Sequence, residues 1–191
     1  EIDGDYGSVI MDVTTNEVKQ KITRPIYAID HLGQQGVSLN FSRLERLRPG
    51  YGYSNFPDST LSDLCPEDDG IYLVDLKSGQ SQLLLTYKMI ATFQNDFLDE
   101  GVVHYINHLQ FSPDGKNLIF LHIWQQGSDS KNRKNRMMMY SFKDEKLSII
   151  EGQATVSHFS WKNETEILAT RLTRSKIIEY VIYSISNKDI N

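Results

Sequence analysis

Three histidines, His108, His122 and His158, and an arginine-rich segment in which Arg43, Arg46 and Arg48 precede Tyr51 and Tyr53, are the residues of this chain best suited to chemistry. A neutral imidazole ligates zinc, manganese or nickel, and near pH 7 it also serves as a general base. Brought together, the three histidines could hold a divalent transition metal; apart, each is a structural residue at a strand end. Arginine presents a planar fork that matches a carboxylate or phosphate, and a neighbouring tyrosine offers a flat face on which a sugar ring can stack. Trp124 and Arg171 could extend that surface. The same arginines could instead turn inward to pair with Glu45, Asp58 or the acidic turn at Glu67 to Asp69.

Other signals read as structure. Lys131 to Arg136, KNRKNR, is a charged loop, and Met137 to Met139 is strand packing rather than a soft-metal site. Pro66 to Gly70 is a tight acidic turn without the ligand spacing of a calcium loop. No G-x-S-x-G, Walker or dinucleotide fingerprint occurs, so no catalytic residue is assigned.

The elements that must position these residues are hairpins. In Asn107 to Trp124, an alternating run meets Ser112-Pro113-Asp114-Gly115 and a second apolar run follows. Proline sets φ for one corner of that turn and glycine accepts the positive φ of the other, so the runs lie antiparallel. Similar inner hairpins are predicted at Ile26 to Phe41 and at Ser157 to Arg171. Outer hairpins are predicted at Gly7 to Ile22, Ile71 to Leu85 and Arg136 to Ile150, with a last strand at Ile177 to Ile185. Ser42 to Asp69 reads as a long irregular loop, Gln94 to Val103 and Gln125 to Asn135 as shorter ones, and Thr86 to Phe93 as the only helix.

The alternation of outer and inner hairpins gives a unit of about 40 residues and four strands, the period of a propeller blade. The expectation is an all-β chain forming a partial β-propeller of about three to four four-stranded antiparallel blades, with a β-sandwich as the alternative. Residues 1–191 form one domain, a segment of a larger propeller or one that closes by homo-oligomerisation. Because the first strand of a blade starts, and the second ends, on the same face, His108, His158, His122, Trp124, Arg171 and the three arginines are expected on one rim.

A net charge of -5 disfavours a nucleic-acid surface, and no apolar run reaches the roughly 20 residues of a membrane helix. The single cysteine, Cys65, rules out an internal disulfide and fits a reducing compartment. That slightly favours a cytoplasmic protein, with secretion left open.

Phe111 to His122, FSPDGKNLIFLH, resembles the repeat of Tol-type and WD-like bacterial propellers, in which an S-P-D-G turn joins the two inner strands. The order of His108, the FSP run, His122, Trp124 and Ser157 to Trp161 also resembles the oligogalacturonate-lyase group. Those enzymes cleave pectic fragments by β-elimination at a histidine metal site; their second histidine is typically followed by an acidic residue and Gly-Pro-Trp, where this chain has Ile123 and Trp124. Ser38 to Asp58 is similar to a signature of uncharacterised bacterial propellers. The expectation is a carbohydrate-related propeller that binds an acidic saccharide on one rim. The alternatives are a scaffold for an acidic protein segment and a metal-dependent lyase.

Overall fold

The structure, a computed structural model, describes residues 2–94, 101–127 and 130–185. Among these, thirteen strands form four antiparallel sheets. The first sheet is the hairpin β1 (Ser8–Met11) and β2 (Val18–Ile22). The second runs in chain order through β3 (Ala28–Ile29), β4 (Gln35–Ser38), β5 (Gly70–Asp75) and β6 (Ser81–Thr86). The third comprises β7 (Val102–Phe111), β8 (Asn117–Gln126), β9 (Lys134–Ser141) and β10 (Lys146–Glu151). The last comprises β11 (Thr155–Trp161), β12 (Glu166–Leu172) and β13 (Ile178–Ser184). Two short helices, α1 (Phe41–Leu47) and α2 (Tyr87–Thr92), are inserted after β4 and β6.

Every sheet pairs its strands in sequence order, and the first strands of successive sheets face one another. The Tyr27 hydroxyl just before β3 donates to Asn107 Oδ1 of β7 at 2.8 Å, and His108 of β7 lies 6.5 Å, ring to ring, from His158 of β11. This is the plan of a partial propeller, and four separate sheets exclude a sandwich of two.

The Ser-Pro-Asp-Gly turn closes as its residues dictate. Ser112 N–H donates to Asn117 O at 2.8 Å, and Gly115, at φ 71°, donates back to Ser112 O. Burial pushes the Asp114 carboxyl up, but bonds from Ser112 and Lys116 outweigh it and bring the pKa to about 2. From this hairpin the core runs outward through Leu118, Phe120, Met137 and Met138 to Val156 and Ile167, all buried. The methionine run is strand packing, as its sequence suggested.

Three expectations need correction. Ser42 to Asp69 is not wholly irregular: it begins within α1, whose N-cap Asn40 accepts from Arg43 N–H and whose buried Phe41, Leu44 and Leu47 recur at helical spacing. The arginines between them hid the stripe. Strand β7 begins at Val102, well before His108, so that histidine lies inside the strand rather than at its start. Arg136, the end of the supposed solvated loop, is 1% exposed and sits in β9. Part of Gln94 to Asn135 lies outside the described residues.

Gly70, which opens β5, has the carbonyl of Leu85 only 2.0 Å from where a Cβ would stand. Backbone cannot yield as a side-chain tip can, so Gly70→Ala should lower unfolding stability by about 2 to 3 kcal/mol in urea denaturation, the range of a strained overpacked site.

The two end sheets show apolar faces to solvent. Leu168, Leu172, Ile178, Tyr180 and Ile182 form one side of β12 and β13, with Tyr180 80% exposed, and Val9, Met11 and Val18 are exposed on β1 and β2. Such faces, with an open strand edge beside them, promote association. Light scattering of the 191-residue chain is expected to show concentration-dependent self-association, reduced by Tyr180→Lys with Ile182→Lys.

Candidate functional site

Helix α1 distributes the three arginines to three different fates. Arg43 points into the protein and has no exposed surface. Its Nε donates to His104 O at 2.9 Å, and Nη1 to Thr60 O, Thr60 Oγ1 and Asp63 O at 3.2, 2.9 and 2.9 Å. Nη2 donates to Leu64 O at 2.8 Å, and the guanidinium lies 4.8 Å from the Tyr87 ring. This guanidinium staples loop 60–64 to β7 and is not a ligand group. Arg46 pairs with Asp58, Nη2 to Oδ2 at 2.7 Å, on a carboxylate that is almost fully buried. Both therefore take the inward role, which sequence left open.

Arg48 follows α1 and leans over Tyr51, 4.7 Å from its ring centroid, with Nη2 3.4 Å from the Tyr51 hydroxyl. Among the described residues no carboxylate pairs with it. Glu45 Oε2 accepts from Gly50 N–H and Gly52 N–H, fixing the loop that carries Tyr51. Gly52 is required there, since a Cβ would fall 2.1 Å from Phe41 O. Tyr53 stacks on Phe41 at 4.6 Å and 9°, so it is packing rather than platform.

Tyr51 meets His108 edge to face at 6.1 Å. His108 sits at a bulge, the register jumping between Asn107 and Gln110, and its φ is 57°. A left-handed residue inside a strand is strained unless its surroundings hold it, and such strain concentrates at functional positions. Here Tyr27 Oη and Asn107 Oδ1 both accept from His108 N–H, at 3.1 and 2.8 Å. The bulge turns the ring toward Tyr51, His158 and Phe159. Burial, then His158, then Arg48 hold the His108 pKa below the ordinary histidine value. Arg48, Tyr51, His108 and His158 thus form a partly exposed cluster where the first strands of two blades meet.

The remaining predicted residues lie elsewhere. His122 is wholly buried in β8, its Nδ1 accepting from Arg136 Nε at 3.1 Å and its Nε2 3.0 Å from His104 Nδ1. It therefore carries its proton on Nε2 and donates to His104. The metal triad His108, His122, His158 does not form: His122 is on the core side, against a guanidinium that would repel a cation. Among the described residues no three His, Cys, Asp or Glu groups are placed to hold a metal. Trp124 packs 5.1 Å from His122 and is registered opposite His104, on the face of β8 away from Gln125 and the arginine loop. Arg171 is tied to Glu151 and Glu179 at 3.0 and 2.9 Å.

Sequence reading missed Tyr27 and Asn107, whose signal was their place at the first strands of neighbouring blades. It also missed a cavity of about 550 Å³ between the first hairpin and β5, lined by Arg24, Asn40, Asp68, Asp69 and Tyr72. Arg24 covers one face of Tyr72 at 3.3 Å, and burial raises the Asp69 pKa against its bonds from Asn40 and Gly70. No residue lining this cavity other than glycine has a positive φ, so it lacks the strain seen at His108. Burial also pushes the Cys65 thiol up to about 11, which disfavours a reactive thiolate.

Two outcomes are expected. Arg43→Lys keeps the charge and loses the fork, leaving buried carbonyls without donors, so it should cost about 3 kcal/mol or more of stability by chemical denaturation. Burial, Arg136 and His104 hold His122 neutral, with a pKa well below its ordinary 6.5. The unfolded chain then takes up a proton that the folded chain refuses. Stability from this group is complete above pH 6.5 and is lost as pH falls toward the folded value, so the melting temperature should drop below pH 6.5. His122→Gln should flatten that dependence.

No protein-family model matches the chain, and no curated protein matches it in sequence. Among solved structures it is similar to a crystal structure of the tricorn protease, a protein with β-propeller domains, at a TM-score of 0.50 and 10% identity. The match covers 90% of this chain and 14% of that one. At that identity the likeness concerns the fold alone: this chain is all-β and built as part of a propeller.

Proposed function

We propose that this chain binds an acidic saccharide on the rim where β7 and β11 meet, with Arg48 holding a uronate carboxylate. The observation that carries the reading is that Arg43 is spent on buried carbonyls and Arg46 on Asp58, whereas Arg48 has no carboxylate partner among the described residues and stands over exposed Tyr51 beside the strained His108. A guanidinium offers two parallel donors to a carboxylate, Tyr51 an apolar face to the sugar ring, and the imidazoles of His108 and His158 bonds to hydroxyls. Elimination chemistry is not part of the proposal, because the third histidine is in the core.

Titration with oligogalacturonate by calorimetry tests it. Arg48→Lys should weaken binding about tenfold, the worth of one good charge-assisted bond, while Arg46→Lys should leave affinity within about twofold. The His108 pKa is held below the ordinary histidine value, so affinity should rise as pH falls through that pKa and the ring gains positive charge near the bound carboxylate. Equal binding of a polyglutamate peptide would reassign the rim to an acidic protein segment. Absence of binding by either would end the reading.

A further inference from the structure

Among the described residues, two buried side-chain atoms have no hydrogen-bond partner: Tyr105 Oη and Gln125 Oε1. They are neighbours. In the β7–β8 register Val103 stands opposite Gln125 and Tyr105 opposite Ile123, so both orphans lie on the same face of one sheet, a diagonal step apart. Buried polar atoms are almost always paired, and two exceptions side by side call for a cause.

Over this face lies a cavity of about 380 Å³, lined by Arg46, Leu47, Pro49, Leu64, Val103, Gln125 and Gly127. The amide orientation of Gln125 is fixed by its other end: Nε2 donates to Gly127 O at 3.2 Å, so the oxygen must be the unpartnered atom. Gln125 is 3% exposed, and burial without a partner makes Oε1 a strong, desolvated acceptor. The cavity walls are otherwise aliphatic, and Arg46 is already engaged by Asp58.

We propose that this cavity is a second binding site, for a small ring-bearing alcohol or phenol whose hydroxyl donates to Gln125 Oε1 while its apolar body packs on Leu47, Pro49, Leu64 and Val103. A hydroxyl suits it because it adds one donor and no charge. A carboxylate could not donate, and an ammonium would be stripped of water among aliphatic walls without a counter-ion. The site adjoins the rim cluster through the residues that flank Arg48 and does not depend on its reading.

The test compares 4-ethylphenol with 4-ethylanisole, which has nearly the same body and no donor, by ligand-observed NMR titration of the wild-type chain. The phenol is expected to bind at least about tenfold more tightly. Gln125→Leu should abolish that preference and, by removing an unpaired buried oxygen, leave the melting temperature unchanged or raised. Equal affinity of the two probes for the wild-type chain, or no saturable binding of the phenol, overturns the proposal, and neither readout requires the variant to fold. A Gln125→Leu chain that folds and keeps the full preference overturns it equally.

Discussion

A single guanidinium, that of Arg43, holds the long insertion between β4 and β5 to the rest of the molecule. Taking a cation out of water is costly, and Arg43 has no exposed surface at all. Five hydrogen bonds, four of them to backbone carbonyls of residues 60, 63, 64 and 104, offset that cost. The carbonyls gain as well, since loop 60–64 has few strand partners to satisfy them. With Arg43 seated, α1 is fixed against β7; with α1 fixed, Arg48 and the Glu45-bound loop can lie only over the bulge at His108.

A second buried arginine repeats the device. Arg136 donates to the carbonyls of Ile90 and Phe93 at the end of α2, and through His122 its hydrogen-bond chain reaches His104. The backbone carbonyl of His104 is in turn an acceptor for Arg43. One residue of β7 thus joins two buried arginines, Arg136 by way of its side chain and Arg43 by way of its backbone carbonyl. Histidine and arginine, which suggest chemistry when read as isolated letters, here satisfy backbone carbonyls at the end of α2 and in loop 60–64.

The fold was legible in the sequence because it is written in local signals. The Ser112 to Gly115 turn and the alternating runs around it specify a hairpin, and its repetition specifies blades. The binding candidates were less legible because burial is a tertiary property. Nothing local distinguishes Arg43, Arg46 and Arg48, each separated by a few residues on a short helix and its end; the distinction arises from Asp58, from the carbonyls of loop 60–64 and from Tyr51. His122 lies off the rim because β7 and β8 extend beyond their apparent limits, which moves both His108 and His122 away from the strand ends. His108 remained at the rim for a reason sequence does not state, a bulge with positive φ that reorients its ring. Gln125 drew no notice for its own chemistry, since glutamine in a polar stretch signals nothing until its oxygen is found buried.

The central claim is a division of labour: Arg43 and Arg46 are structural, and Arg48 is the arginine left to meet a ligand. Guanidinium-selective proton–nitrogen NMR of the chain, titrated with digalacturonate, observes all three in one sample. The account predicts that the Arg48 Nε–Hε signal moves with saturation while those of Arg43 and Arg46 stay in place, the Arg43 proton exchanging slowly with solvent because it is sealed against His104 O. Movement of the Arg43 or Arg46 signal with Arg48 unmoved, or rapid exchange of the Arg43 proton, would contradict it.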